Sequence, residues 1–114
     1  MLIVQKFGGT SVGNLERIEN VASRVAKSAK EGHGIIVVVS AMSGETDRLI
    51  GLAKGITPRP DPRELDVLLA TGEQVTIALL CIALEKRGCP ARSYTGGQVR
   101  IITDNAFNKA RIEE

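Results

Sequence analysis

The run Ile35-Ile36-Val37-Val38-Val39 constrains the fold more than any other stretch, because consecutive β-branched residues favour extended backbone and leave no polar face to turn to water. A strand that is apolar on both sides belongs inside a mainly parallel sheet covered by helices. The preceding segment fits this reading. Leu2-Ile3-Val4 forms a short apolar strand that stops near Lys6, ahead of Gly8-Gly9, and Leu15, Ile18, Val21, Ala22, Val25 and Ala29 then recur at helical spacing. Asn14 is placed to cap that helix, and Gly32 and Gly34 to end it. Strand, helix and strand at this spacing predict a right-handed βαβ unit.

Further along, a second helix is expected from about Glu45 to Lys54, and the prolines of Thr57-Pro58-Arg59-Pro60 mark an exposed loop. Asp61 as N-cap, Pro62 in the first turn and Glu64 in a capping box start another helix, with Leu65, Leu68 and Leu69 on its inner face. Thr71-Gly72-Glu73 interrupts or bends that pattern. From Val75 to Leu84 the chain is apolar on nearly every side, as in a helix at the centre of a domain, and this helix ends at Gly88. Ala91 to Tyr94 and Val99 to Ile102 read as short strands about Thr95-Gly96-Gly97, Thr103 to Lys109 as a loop, and Arg111-Ile112 as the opening of another element. The fold class expected is α/β: a three-layer αβα sandwich with a mostly parallel sheet, incomplete within these residues.

Composition removes several functional classes. The chain has 114 residues, the size of one domain, and its 43% hydrophobic against 25% charged content is globular rather than disordered usage. A formal net charge of +2 with acids and bases interleaved offers no basic stripe for a nucleic acid backbone. The only cysteines, Cys81 and Cys89, supply neither a disulfide framework nor paired metal ligands, and read as reduced thiols of a cytoplasmic protein. The longest apolar run, Ile77 to Leu84, is far shorter than the ~20 residues of a membrane span, and Leu2-Ile3-Val4 is too short for a signal-peptide core.

Three motifs carry chemistry. Lys6-Phe7-Gly8-Gly9-Thr10-Ser11 lies between a strand and a helix, where ligands gather in parallel sheets; glycines admit backbone N–H groups to a phosphate, and lysine with hydroxyls suits a polyphosphate. The lysine precedes the glycines, so neither the Walker loop nor the dinucleotide fingerprint fits. Gly8-Gly9 alone would be an ordinary turn, and Lys6 tips the balance. The second motif, Ser40-Ala41-Met42-Ser43-Gly44-Glu45-Thr46, follows the next strand end, so Ser40 and Thr46 face the same cleft; Ser43 or Thr46 is equally suited to cap the helix, and both roles are compatible. The third, Thr71-Gly72-Glu73, places a carboxylate before the apolar helix. It serves either as a cap or as a counter-charge for a substrate ammonium. His33, between two glycines, reads as a solvated turn histidine, and Thr103-Asp104-Asn105 has too few acids for a magnesium site; neither is assigned a role.

Val4 to Val12, Val39 to Ser43, Leu69 to Gln74 and Ser93 to Gly96 occur in this order and resemble the start of the bacterial aspartate kinases, across essentially the whole chain. The resemblance implies the amino acid kinase fold, ATP with Mg2+, and phosphoryl transfer to the side-chain carboxylate of L-aspartate, giving 4-phospho-L-aspartate for lysine, threonine and methionine synthesis. It further implies that Lys6 is the catalytic lysine, that Lys6, Phe7, Gly8, Gly9, Thr10, Ser11 and Ser40 bind ATP, and that Thr46 and Glu73 bind the amino acid. No protein ligand to the metal is assigned. By the same resemblance, residues 1–114 are the N-terminal portion of the kinase domain, the regulatory domains are absent, the full-length enzyme is a homo-oligomer or subunit assembly, and this chain alone is inactive. A kinase of the one-methylene-longer glutamate is a rival that Thr71-Gly72-Glu73 argues against. The rival of a different class is a non-catalytic nucleotide-binding or oligomerisation fragment of an amino acid kinase.

Overall fold

The computed structural model describes residues 1–113. Its elements are β1 (Leu2–Phe7), a single 3₁₀ turn (Gly9–Val12), α1 (Leu15–Lys30), β2 (Gly34–Val39), α2 (Glu45–Ile56) and α3 (Pro62–Lys86). The strands pair in parallel, with Leu2 opposite Gly34 and Phe7 opposite Val39, so α1 is the crossover of a βαβ unit. Local chemistry sets its limits as expected. The Asn14 side chain accepts a hydrogen bond from the Arg17 amide at 2.9 Å, and Gly32, at φ +91°, makes the left-handed turn out of α1.

The strand period of two sorts the sheet into unequal faces. Ile3, Gln5, Phe7, Ile35, Val37 and Val39 lie on the face towards α1 and α3, while Leu2, Val4, Lys6, Ile36 and Val38 lie on the other. The core is made of Phe7 and Val12, the α1 stripe Ile18, Val21, Ala22, Val25 and Ala26, and Leu80, Ala83 and Leu84 of α3. The opposite face stays open, with Val4 64% exposed and Ile36 and Val38 about half exposed. The architecture is thus α/β with one helical layer on a two-stranded parallel sheet. A second layer, expected from the apolar run of β2, is not found among the described residues.

Two sequence expectations are corrected. The helix does not break at Thr71-Gly72-Glu73: α3 is one helix of 25 residues, started by Pro62 and by the Asp61 carboxylate accepting from the Glu64 amide at 3.1 Å. Thr71 lies within the helix, its hydroxyl donating to the Leu68 carbonyl at 2.6 Å. Gly72 is buried in close packing rather than ending the helix. Ala91 to Tyr94 and Val99 to Ile102 are not strands either. The amides of Arg100 and Ile101 close local turns on the carbonyls of Gly97 and Gly96, Arg100 takes a left-handed φ of +59°, and pairing in this region is limited, among the described residues, to one antiparallel bridge between Thr103 and Ile112.

By length and composition α3 is apolar enough to cross a membrane, a property that the Ile77–Leu84 run by itself does not reveal. Its buried stripe, Gly72, Thr76, Leu80, Ala83 and Leu84, packs against neighbouring elements as a core helix does, although Val75 and Ile82 on the far side are exposed rather than covered.

The ends of α1 and α3 are tied by Glu19, which accepts hydrogen bonds from Lys86 Nζ and Arg87 Nη2, both at 3.1 Å. Lys86 foremost, then Arg87, holds the Glu19 carboxyl below its ordinary value of 4.5. A carboxyl with a depressed folded-state pKa stabilises the fold above that ordinary value, and the contribution fades as pH falls through the folded value. Glu19→Gln is therefore expected to lower the melting temperature slightly at pH 7 and to leave it unchanged at the acid end of the transition. Melting curves from pH 7 down to pH 3 check this, and a constant offset across that range would show that the pair contributes nothing through charge.

Candidate active site

β1 delivers Phe7 into the core and Lys6 onto the open face, after which the chain turns through Gly8 and Gly9. The turn is anchored by Val12, which is fully buried. It is closed by the Ser11 amide donating to the Gly8 carbonyl at 3.0 Å, and braced by Arg17 of α1, whose guanidinium donates to the Thr10 carbonyl at 2.6 Å. A side chain on Gly8 would meet nothing within 4 Å, so this stretch of backbone is open to a ligand. Thr10 and Ser11 are exposed beside it.

The loop after β2 lies alongside. The Ser40 amide continues the ladder by donating to the Phe7 carbonyl at 3.2 Å, which sets Ser40 next to Gly8. Ala41 is buried, and its carbonyl stands 3.4 Å from where a Gly9 Cβ would be; Ser43 Cβ is equally close to Gly13. At the start of α2 the cap is Gly44 at φ +78° with no side-chain hydrogen bond, so the expectation that Ser43 or Thr46 caps this helix is not met. Thr46 is exposed in the first turn. Its neighbour Glu45 is engaged by Arg48, at 2.6 and 3.1 Å, which holds the Glu45 carboxyl below its ordinary range.

Glu73 is brought to the same region by the packing of α3. A Cβ on Gly72 would stand 3.1 Å from Ala41 Cβ and 3.5 Å from both Glu45 and Leu49, so the glycine lets α3 approach the loop after β2. Thr76, fully buried one turn later, donates its hydroxyl to the Gly72 carbonyl at 3.3 Å. Glu73, the next residue after Gly72, is half-buried on the wall of a cleft of about 910 Å³ shared with Val39, Ala70, Gln74, Tyr94 and Thr95. Because it lies in the middle of α3, no helix N-terminus supports its charge, and the capping role is removed. It makes no ion pair among the described residues.

The remaining candidates are elsewhere. His33 is half-buried rather than solvated, 4.0 Å from Glu31, and lines the same cleft. Asp104 spends one oxygen on the amides of Ala106 and Arg111 in its own loop. No group of three His, Cys, Asp or Glu suited to a metal exists among the described residues. Cys81 and Cys89 are free thiols, and burial, with Glu85 nearby, pushes the Cys81 thiol up. Arg17 was not singled out by sequence reasoning, and Ala41 and Gly72 were read only as members of their motifs, without the contact they make with each other. The Ala41–Gly72 contact joins elements distant in the chain, and the Arg17 bond goes to a backbone carbonyl, so no local pattern announces either.

The profile of the amino acid kinase family matches residues 1–114. The chain belongs to the amino acid kinase family. Among its relatives are an aspartate kinase of Pseudomonas putida, 69% identical over 111 residues, and aspartokinase 2 of Bacillus subtilis, 55% identical over 113 residues. These alignments cover 97% and 99% of this chain, which spans only 27% and 28% of the relatives' own lengths. Aspartate kinase from Synechocystis superposes with a TM-score of 0.83 at 56% identity, over 86% of this chain and 17% of that one. Escherichia coli aspartokinase III, solved in complex with aspartate and ADP, superposes with a TM-score of 0.84 over 99% of this chain and 35% of that one; at 22% identity it supports the fold alone.

In this amino acid kinase chain the contact between Gly72 and Ala41 sets the distance from α3 to both strand-end loops. Gly72→Ala gains helix propensity, up to ~1 kcal/mol, against the crowding of one methyl, and is expected to stay within that amount of the parent. Gly72→Leu has no room and is expected to cost about 1–3 kcal/mol. Urea midpoints of the two variants check the pair, and a leucine variant as stable as the parent would mean that α3 and the Ala41 loop are not in contact.

Proposed function

We propose that this chain carries the phosphate-binding and amino-acid-binding elements of an aspartate kinase, which transfers the γ-phosphoryl group of ATP to the side-chain carboxylate of L-aspartate and so opens the synthesis of lysine, threonine and methionine. The observation that carries the reading is the convergence of the Gly8-Gly9 loop, the loop after β2 and the Gly72-Glu73 stretch of α3 around Ala41. Support for aspartate as acceptor comes from the names of the relatives.

The acceptor carboxylate is already ionised at neutral pH, so no general base has to create the nucleophile. One carboxylate oxygen bonds to the γ-phosphorus as the bond to the ADP oxygen breaks, and ADP leaves with that electron pair. What the protein supplies is alignment and positive charge. In this reading Lys6 faces the phosphates with its ammonium, and Gly8 and Gly9 present backbone N–H groups without a side chain in the way. Phe7 anchors the loop in the core, while Thr10, Ser11 and Ser40 offer hydroxyls around it. Thr46 and Glu73 hold the amino acid, Glu73 by its charge against the ammonium. Mg2+, when bound, would shield the phosphate charge, and no residue of this chain is assigned as its ligand.

Lys6→Met in the native full-length protein is expected to fold normally, because Lys6 is exposed, and to lose well over tenfold in turnover. Coupled ADP release with saturating ATP, Mg2+ and L-aspartate measures it. Retention of more than about a tenth of the activity would correspond to less than ~1.4 kcal/mol of transition-state stabilisation, too little for a catalytic cation. L-glutamate as acceptor is the control for the choice of substrate.

Glu73→Gln keeps the shape of the side chain and removes its charge. An ion pair about 4 Å apart at an effective dielectric near 20 is worth ~4 kcal/mol before desolvation, so aspartate affinity should fall steeply while ATP affinity holds. Calorimetric titration of each ligand is the check. Equal losses for both would make Glu73 a structural residue, and unchanged aspartate affinity would remove it from the site.

A further inference from the structure

We infer that Arg17 is the positioning residue of the phosphate loop, holding the peptide between Thr10 and Ser11 in the one orientation that lets the Gly8-Gly9 segment receive ATP. This rests on the reading of residues 6–11 as the loop that faces the phosphates. Both ends of that peptide are engaged: the Thr10 carbonyl accepts from Arg17 Nη1 at 2.6 Å, and the Ser11 amide donates to the Gly8 carbonyl at 3.0 Å. A carbonyl oxygen turned towards a polyphosphate would repel it, and the guanidinium keeps this one directed at α1.

The register of α1 makes the contact possible. The Arg17 amide is itself fixed by the Asn14 cap at 2.9 Å, so the helix start and the loop brace meet at one residue. Two turns further along the same helix, Arg24 lies over the Phe7 ring, its guanidinium carbon 5.8 Å from the ring centroid. Arg17 and Arg24 thus grip the strand-to-helix connection on either side of Gly8-Gly9. Arg17 is exposed and outside the core, so a single solvent-facing bond adds little to global stability. Its work is local, on the shape of the loop.

The test compares Arg17→Met and Arg17→Lys with the wild type in the native full-length protein. The methionine variant is expected to raise the KM for ATP about tenfold, with kcat and the KM for L-aspartate changed less than about threefold, the split that marks lost binding of one substrate rather than lost chemistry. Its melting temperature should stay within about 2 °C of the wild type, since a larger fall would correspond to a change in global stability. The lysine variant, which keeps a charge and one donor, should recover most of the loss. Amide exchange across residues 8–13 without nucleotide should be faster in the methionine variant, a readout independent of turnover. An unchanged KM for ATP, parallel rises in both KM values with a lower melting temperature, a lysine variant no better than methionine, or unaltered amide exchange would each overturn the assignment. A wild-type protein that releases no ADP with aspartate present would instead overturn the functional reading, while the exchange comparison would still decide whether Arg17 shapes the loop.

Discussion

The close approach of α3 to the loop after β2 is the constraint on which the rest of the site depends. Ala41 is wedged between two backbones that carry no side chain at the point of contact: Gly9 on the carbonyl side, where a Cβ would be 3.4 Å away, and Gly72 on the methyl side, at 3.1 Å. Small residues at all three positions let the Gly9 turn and α3 both close on Ala41. A glycine in the interior of a helix costs roughly 0.5–1 kcal/mol relative to alanine, so this geometry is held against a local penalty. The buried Thr76 hydroxyl is satisfied within the packed stripe by donating to the Gly72 carbonyl.

That same contact explains where sequence reasoning succeeded and where it failed. β1, α1 and β2 were legible because independent local signals agreed on them: an apolar run, a 3.6-residue period, Asn14 at the cap and Gly32 beyond the end. Gly72 was misread because glycine serves both as a helix breaker and as a point of close approach, and the choice between them is made by Ala41, which belongs to another loop. The residues from Ala91 to Ile102 carry strand-like composition, but a strand needs a ladder partner, and the amides of Gln98 to Ile101 bond instead to carbonyls a few residues back. Composition cannot report the partner.

The site divides along the same line. The identities of Lys6, Gly8, Gly9 and Ser40 could be proposed from the chain because each sits at or beside the C-terminal end of a parallel strand, a place that the topology itself marks for ligands. Glu73 could be named but not placed, since its position follows from α3 running unbroken past Gly72. The cap of α2 was assigned to a hydroxyl when a left-handed Gly44 makes the turn instead, which leaves Ser43 and Thr46 without the structural role that competed with ligand binding. Arg17 was invisible as more than a helix residue, because its partner is a backbone carbonyl, and every residue has one.

The two faces of the sheet connect the fold to the chemistry. Lys6 shares the open face with Val4, Ile36 and Val38, and its register partner is Val38. An apolar surface of this kind is stable when covered, and covering it has an electrical consequence for the lysine. At 4 Å, two unit charges interact by about 1 kcal/mol in bulk water and about 4 kcal/mol at the effective dielectric of a protein surface region. Lys6 is exposed on the open face, where a charge pair is worth nearer the lower figure. Cover over Val4, Ile36 and Val38 excludes water from the stem of Lys6 and leaves its ammonium to the strand end, where the glycine loop lies. On the proposed reading of Lys6, a layer that completed the hydrophobic packing of the sheet would also strengthen the pull of this lysine on a phosphoryl group, so folding and the proposed chemistry make the same demand on whatever covers this face.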